Sequence, residues 1–553
     1  MRILLTEDDH PLANTMLSML RDDQNTVDWV DDGQQALNAL LNESFDLAKT
    51  WRFFANLPVT QYYKLAVDDT APFYNIYGGT QDNGTHCGPS RTDHASGITN
   101  GDWSVVLDWD GHQPATEPGN PAIVYAERQE GMLSRIDRTT GEATHIQPQP
   151  GPNDPPERFN WDAPILVSPH NPAHIWFASQ RVWRSYDRGD HWQAVSGDLT
   201  RDLRRIAQPI GGGTQGWEGS WDLYAMSQFS TITSLAESPR VAGLLYAGTD
   251  DGLLQVSENG GQSWRRVPVE SLPGVPERAF VNDVRADLFD ANTVYVCLDH
   301  HKGGDFRPFL YRSEDRGRTW QSIGQGLPER TLVWRIVQDH IDPELLFVGT
   351  EYGVWFSHNA GQQWTQLSGN LPTIPIRDLT IQRREDDLVC ASFGRGFFVL
   401  DDLSPLRNLD DETLARAATL FEPRDAWQFV PRAKVDFYKP RGSQGASYFV
   451  AENPPHGAAF TYHLADELLT LEKARKQPLT KGSAKDDDKP APTMPGWDQL
   501  AAERLEIAPR VLLTITDSEG RVVRRLTGPT TRGFHRVAWD LRYPLADAIT
   551  LQQ

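Results

Sequence analysis

SYDRGDHW, residues 185–192, returns three times further along the chain, as SENGGQSW at 257–264, SEDRGRTW at 313–320 and SHNAGQQW at 357–364. The common frame is S-x-[DN]-x-G-x-x-W. Its serines are Ser185, Ser257, Ser313 and Ser357, and its acid or amide positions are Asp187, Asn259, Asp315 and Asn359. Its glycines are Gly189, Gly261, Gly317 and Gly361, and its indoles are Trp192, Trp264, Trp320 and Trp364. Each position answers a physical need. An Asp or Asn side chain accepts backbone hydrogen bonds in a tight turn, the glycine permits positive φ, and the Trp supplies a large apolar anchor. The four copies start 72, 56 and 44 residues apart. The shortest spacing matches one blade of a β-propeller, and the longer ones read as blades with loop insertions.

Before each copy comes a strand pair around a tight turn, as in LLYAGTDDGLLQVS (244–257) and LLFVGTEYGVWFS (345–357). Related units without the full frame are FYNIYGGTQDNG (73–84), AIVYAERQEGMLSRID (122–137) and LVCASFGRGFFVLDD (388–402). Together they give seven blade-like units between about residues 52 and 405, an ordinary propeller number. The frame is that of the Asp-box, or bacterial neuraminidase repeat. The chain resembles the sortilin N-terminal propeller family, in particular its large bacterial members. The resembling stretches include YGGTQDNGTHCGPSR, RFNWDAPILVSPHNP, SGDLTRD, DHHKGGDFRPFLYRSEDRGRTW and FGRGFFVLDDLSPLR. The resemblance implies a mainly β fold with an Asp-box β-propeller of about seven blades over residues 48–405. It implies much less about activity, because these boxes are structural devices that usually sit away from any active site.

Residues 1–47 belong to a different pattern and resemble the start of a response-regulator receiver domain. Arg2 to Leu5 is a short apolar strand ending in the acidic run Glu7, Asp8 and Asp9. A helix with Leu12, Met16 and Leu20 on one face follows, then a strand from Thr26 to Trp29 and a second amphipathic helix behind Asp32-Gly33. In that family the acidic pair matched by Glu7 and Asp8 helps hold magnesium, a hard cation suited to carboxylates. The phosphate-accepting Asp normally found beyond a Phe-Asp-Leu such as Phe45-Asp46-Leu47 is replaced here by Ala48-Lys49-Thr50-Trp51. A phosphorelay role is therefore disfavoured, and a truncated, non-functional receiver stub is expected. Lys49-Thr50-Trp51 matches the last three residues of an Asp-box. The joint thus cuts both patterns in mid-element, as a chimera would, rather than separating two intact domains.

Residues 406–553 resemble the immunoglobulin-like module that follows the propeller in these bacterial proteins. SYFVAENPPHGAAFTYHL (447–464) alternates apolar residues, and RVLLTITDSEGRVVRRLTGPTTRGFHRVAWDLRYP (510–544) reads as a hairpin turning at Asp517–Gly520. A strand then returns through Val537 and Trp539. The charged, Pro-rich stretch between them predicts a disordered insertion at about 472–496.

Composition limits the partners. With 53 basic and 75 acidic residues the net charge is −22, which argues against nucleic acid. No apolar run reaches the length of a membrane span. Cys87, Cys297 and Cys390 are scattered and odd in number, so no disulfide framework is implied, and the latter two read as buried small hydrophobes. No cofactor is expected. Met1 leads straight into the first strand without a signal peptide, so the chain as written is expected in the cytoplasm, although its propeller relatives are typically exported.

The expected function is a scaffold that binds a peptide, protein or glycan ligand without catalysis, and the alternative is a glycoside hydrolase. Catalytic carboxylate candidates are Asp82, Asp250, Asp251 and Glu351. All four sit in equivalent hairpin turns, where backbone reasons alone favour such residues. In DHHKGGDF (299–306), His300, His301 and Asp305 are candidate metal ligands. Adjacent histidines at a strand end point to opposite sides, which weakens that reading. Candidate ligand contacts are Arg395, in FGRGFF, and Trp217, Trp221 and Tyr224, in WEGSWDLYAMSQF (217–229).

Overall fold

The structure is a computed structural model, and the residues it describes are 2–6, 26–30, 57, 59–210, 213–214, 228–432, 449–480 and 495–544. The chain forms two compact units, residues 1–403 with 433–452, and residues 404–432 with 453–553.

In the first unit six four-stranded antiparallel sheets and one three-stranded sheet follow one another in chain order. Their first strands are Leu65–Val67, Ala115–Glu117, Ile165–Val167, Ile232–Glu237, Phe280–Ala286, Val333–Gln338 and Ile376–Gln382. Each of these strands touches the next, and the last touches the first. Sheets whose inner strands close a cycle in this way make a β-propeller. Neighbouring sheets cover both faces of each sheet, so the second strands read as continuous apolar runs rather than alternating ones. Ile175–Ala178, Leu245–Thr249 and Leu346–Thr350 are buried throughout. The recurrent Gly-Thr at the ends of such strands follows from this crowding. A Cβ on Gly248 would lie 2.3 Å from Val281 of the next sheet, while the hydroxyl of Thr350 closes its own hairpin onto the Gly353 carbonyl at 2.9 Å.

The four repeats join the third and fourth strands of their sheets. In each, the Ser Oγ accepts the glycine N–H, at 2.8 Å for Ser185, Ser257 and Ser313 and 2.9 Å for Ser357. The acid or amide oxygen accepts a backbone N–H four residues on, as from His191 to Asp187 at 2.9 Å. All four glycines have φ between 74° and 90°. Each indole then reaches back to the preceding sheet. Trp192 donates to the Ile146 carbonyl at 2.6 Å, Trp264 to Val195 at 3.4 Å and Trp364 to Ile323 at 2.7 Å. Trp320 packs on Val256 and its neighbours, its buried N–H without an acceptor.

A buried ionic clasp spans the ring closure. The Arg335 guanidinium lies 2.9 Å from Asp283 and 2.6 Å from Asp378, so the first strands of the last three sheets are tied together. The other oxygen of Asp378 accepts the N–H of Leu65, in the first sheet, at 2.9 Å. All three charged groups are buried. The three cysteines are free and buried.

At the N-terminus Arg2–Thr6 pairs with Thr26–Val30 in parallel, Arg2 opposite Thr26 and Thr6 opposite Val30. The two strands fall where the sequence predicts them. Its two expected helices, with Glu7 and Asp8, lie outside the described residues.

The second unit contains a three-stranded sheet of Ala418–Leu420, Ala458–Leu464 and Gly533–Trp539, and a hairpin of Val511–Thr516 with Val522–Gly528. Tyr462, Leu464 and Leu513 form its core, with Val511, Leu526 and Val537 packed on them. The hairpin turns where expected, Asp517 accepting from Glu519 and Arg521 N–H at 2.9 and 3.0 Å. The insertion departs from expectation at its start. Leu471–Thr480 is a helix, held to a second helix, Trp497–Leu505, by Arg475 on Glu503 at 2.6 and 2.8 Å. This pairing outweighs the polar composition that predicted disorder from 472. Among the described residues no helix is long and apolar enough to cross a membrane.

Replacing Arg335 by Ala leaves Asp378 with backbone donors alone and Asp283 with Arg285 at 3.1 Å, and the loss expected in urea unfolding is about 3 kcal/mol, the lower end for a broken buried pair. A loss near that of an ordinary surface substitution would show that the clasp does not hold the ring.

Candidate functional site

In every sheet the start of the first strand lies opposite the end of the second, as Ile232 does Thr249, Phe280 does Asp299 and Val333 does Thr350. One end of the ring therefore gathers the beginnings of the inner strands and the hairpins between second and third strands. A cavity of about 640 Å³ opens at this end. The repeats begin where third strands finish and so lie at the other end, Ser257 being opposite Leu245.

Aromatic rings, cations and amides alternate around the cavity. Tyr63, Phe229, Phe280 and Trp334 supply the rings, and Asn160, Gln208 and Asn282 the amides. Trp334 is buried and donates its N–H to Glu351 at 3.1 Å. The Arg377 guanidinium sits 3.7 Å from the Trp334 ring centre and 4.5 Å from that of Phe393. Behind Tyr63 the wall holds two buried titratable groups, His112 and Glu127. His112 is fully buried, and burial pushes its pKa down. Burial pushes the Glu127 carboxyl well above the usual carboxylate range.

The four carboxylate candidates do occupy equivalent hairpins, but only Asp250 lines the cavity. Its two oxygens accept the Thr231 N–H and hydroxyl, each at 2.8 Å, and Thr231 Oγ1 accepts from Asn160 at 2.8 Å. Burial, and then the adjacent Asp251, push its pKa up to about 7. Asp251 is buried and occupied by Thr249 Oγ1 at 2.6 Å and the Arg201 N–H at 2.7 Å. Asp82 is exposed, at φ 61°, its N–H donated to Asp110 at 2.6 Å. Glu351 positions Trp334 rather than facing the cavity.

His300 and His301 line the cavity, while Asp305 is turned onto Arg307 at 3.0 and 2.6 Å. His301 is bonded to Asp299. Among the described residues no group of three or more His, Cys, Asp or Glu side chains is placed to hold a metal. The expected set of His300, His301 and Asp305 is therefore not assembled, because its carboxylate has an arginine of its own. Arg395 lies outside the cavity lining, its N–H on Ser392 Oγ at 3.0 Å. Trp217, Trp221 and Tyr224 lie outside the described residues.

The sequence reading missed Lys64, Arg278, Trp334 and Arg377. The available signal was positional. Each lies at or just before the start of an inner strand, and strand starts meet the hairpin ends at the axis.

Asp250 gives the site a pH signature. Between about pH 4 and 7 the folded protein holds a proton that the unfolded chain has lost, so stability falls as pH rises through that window and is flat above it. The loss is about 4 kcal/mol in all. Asp250→Asn is expected to flatten this slope in denaturant titrations between pH 4 and 7. An unchanged slope would place the proton elsewhere.

No family model matches the chain. A stretch of 142 residues is 28% identical to a xyloglucanase from a Paenibacillus species, covering 23% of this chain and 13% of that protein. A stretch of 47 residues is 51% identical to the response regulator protein PmrA of Pseudomonas aeruginosa, covering 8% of this chain and 21% of that protein. The chain thus matches less than a quarter of the length of either relative. Among solved structures, the GH74 xyloglucanase from Xanthomonas campestris aligns over 64% of this chain and 53% of its own, with 16% identity and a TM-score of 0.45. YCF48 from Cyanidioschyzon merolae aligns over 65% of this chain and 99% of its own, with 9% identity and a TM-score of 0.41.

Proposed function

We propose that the chain is a propeller scaffold whose axial cavity binds a peptide or glycan ligand without catalysis. One observation carries this. The cavity combines stacking rings with amides and cations, the composition of a recognition site, while two of its three carboxylates, Asp250 and Asp299, are already engaged by protein donors. A glycosidase places two working carboxylates across the scissile bond, and Asp250 and Asp299 are instead held by Thr231 and His301. The same reading takes the seven sheets as blades of an Asp-box propeller, residues 406–553 as an immunoglobulin-like region and residues 1–47 as a receiver stub. The likeness to PmrA supports the stub.

The glycoside hydrolase reading has its own support. The xyloglucanase likeness favours it, and a carboxyl titrating near 7, as Asp250 does, suits a general acid.

A glycan and peptide array with the full chain separates the two. Retention without release of reducing sugar is expected, with Trp334→Ala weakening retention roughly ten-fold. Release of reducing ends that disappears in Asp250→Ala would install the hydrolase instead. Acetyl phosphate with magnesium is expected to leave the chain unlabelled, and labelling within residues 1–47 would show a working receiver.

A further inference from the structure

We infer that the ligand of the axial cavity is acidic, a uronate-bearing glycan whose carboxylate seats on Arg278, Lys302 and Arg377. This rests on the reading that the cavity is the ligand site.

The charge around the cavity runs against that of the chain. Overall the protein carries −22, yet the cavity is lined by Lys64, Arg205, Arg278, Lys302 and Arg377 against Asp162, Asp250 and Asp299. Two of the acids are occupied, and the third has a cation beside it. Asp250 accepts two hydrogen bonds from Thr231, Asp299 accepts from the N–H and ring of His301, and Asp162 faces Lys64 at 3.9 Å.

Three of the cations are not matched. Among the described residues Arg278, Lys302 and Arg377 have no carboxylate within 4.0 Å. Arg278 is bonded to the Gln208 side-chain carbonyl, and Lys302 lies 5.8 Å from the Phe280 ring centre. Arg377 is held between Trp334 and Phe393, its buried Nε without an acceptor. A buried guanidinium nitrogen left without an acceptor, as the Arg377 Nε is, is costly. Stacking fixes a guanidinium while leaving its edge donors open, and that edge matches a carboxylate in two parallel hydrogen bonds. Of the amides beside them Asn160 and Gln208 are engaged at both ends by protein groups, the Asn282 carbonyl oxygen is left for a sugar hydroxyl, and the ring faces suit the apolar side of a sugar.

The test is calorimetric titration of the full chain with oligogalacturonate and with the same oligomer methyl-esterified, which removes only the charge. The acid is expected to bind at least about ten-fold more tightly, and to lose affinity as salt rises. Arg377→Gln and the exposed Lys302→Gln are each expected to remove most of that advantage, bringing the acid down toward the affinity of the ester. Lys302→Gln serves if Arg377→Gln fails to fold. Equal binding of acid and ester would overturn the charge assignment and leave the cavity as the site. Binding of a free-carboxyl peptide but of neither oligomer would overturn the glycan class. Absence of binding by acid, ester, neutral oligosaccharides and peptides alike would overturn the cavity as a ligand site altogether.

Discussion

Everything at the ring axis depends on one buried guanidinium. Arg335 lies between Asp283 and Asp378, and Asp378 in turn receives the backbone of the first sheet. A propeller has no continuous core through which distant sheets communicate; each sheet packs on its two neighbours. Closure therefore falls to whatever joins the end of the sequence to its beginning. Here an apolar cluster of Tyr62, Leu65, Tyr74 and Ile76 with Val389 and Ala391 packs across the joint, and Asp378, held by Arg335, accepts the Leu65 N–H beside it; in low dielectric an unmatched partner is far more costly than a matched pair is favourable. The geometry this imposes on the inner strands is what brings Tyr63, Trp334 and Arg377 to a common space.

Around that axis the sheets are joined by smaller devices. Thr116 donates to the Val67 carbonyl at 2.7 Å and Thr233 to Val281 at 2.7 Å, each from one inner strand to a neighbour. At the periphery three of the four repeat indoles, Trp192, Trp264 and Trp364, do the same by insertion. Side chains from one sheet satisfy backbone groups of another at both radii, so neighbouring sheets cannot slide without losing buried hydrogen bonds.

The fold was largely legible because its evidence was local. A turn that needs a Ser, an Asp or Asn and a Gly at fixed offsets writes those residues into the sequence, and the Ser185–Trp192 geometry is the one anticipated from them. The hairpin positions of Asp82, Asp250, Asp251 and Glu351 were also legible. What separates Asp250 from the others is where each hairpin points about the axis, which no local pattern encodes. Arg377 and Trp334 were missed for the same reason, being 43 positions apart yet stacked. The helix at Leu471–Thr480 was hidden because its partner, Glu503, lies beyond a long polar stretch.

The repeats and the cavity sit at opposite ends of the sheets, and a strand of five residues spans about 17 Å. Sites so far apart with no shared partner contribute to stability almost independently. The Trp-anchored turns and the axial hairpins are thus separate mutational compartments. The hairpins are free to exchange residues, lengthen or change charge, as the −22 chain with a cationic cavity already illustrates, without drawing on the interactions that hold the sheets together. The frame is conservative and the mouth is plastic, an arrangement that lets one scaffold be refitted for many ligands.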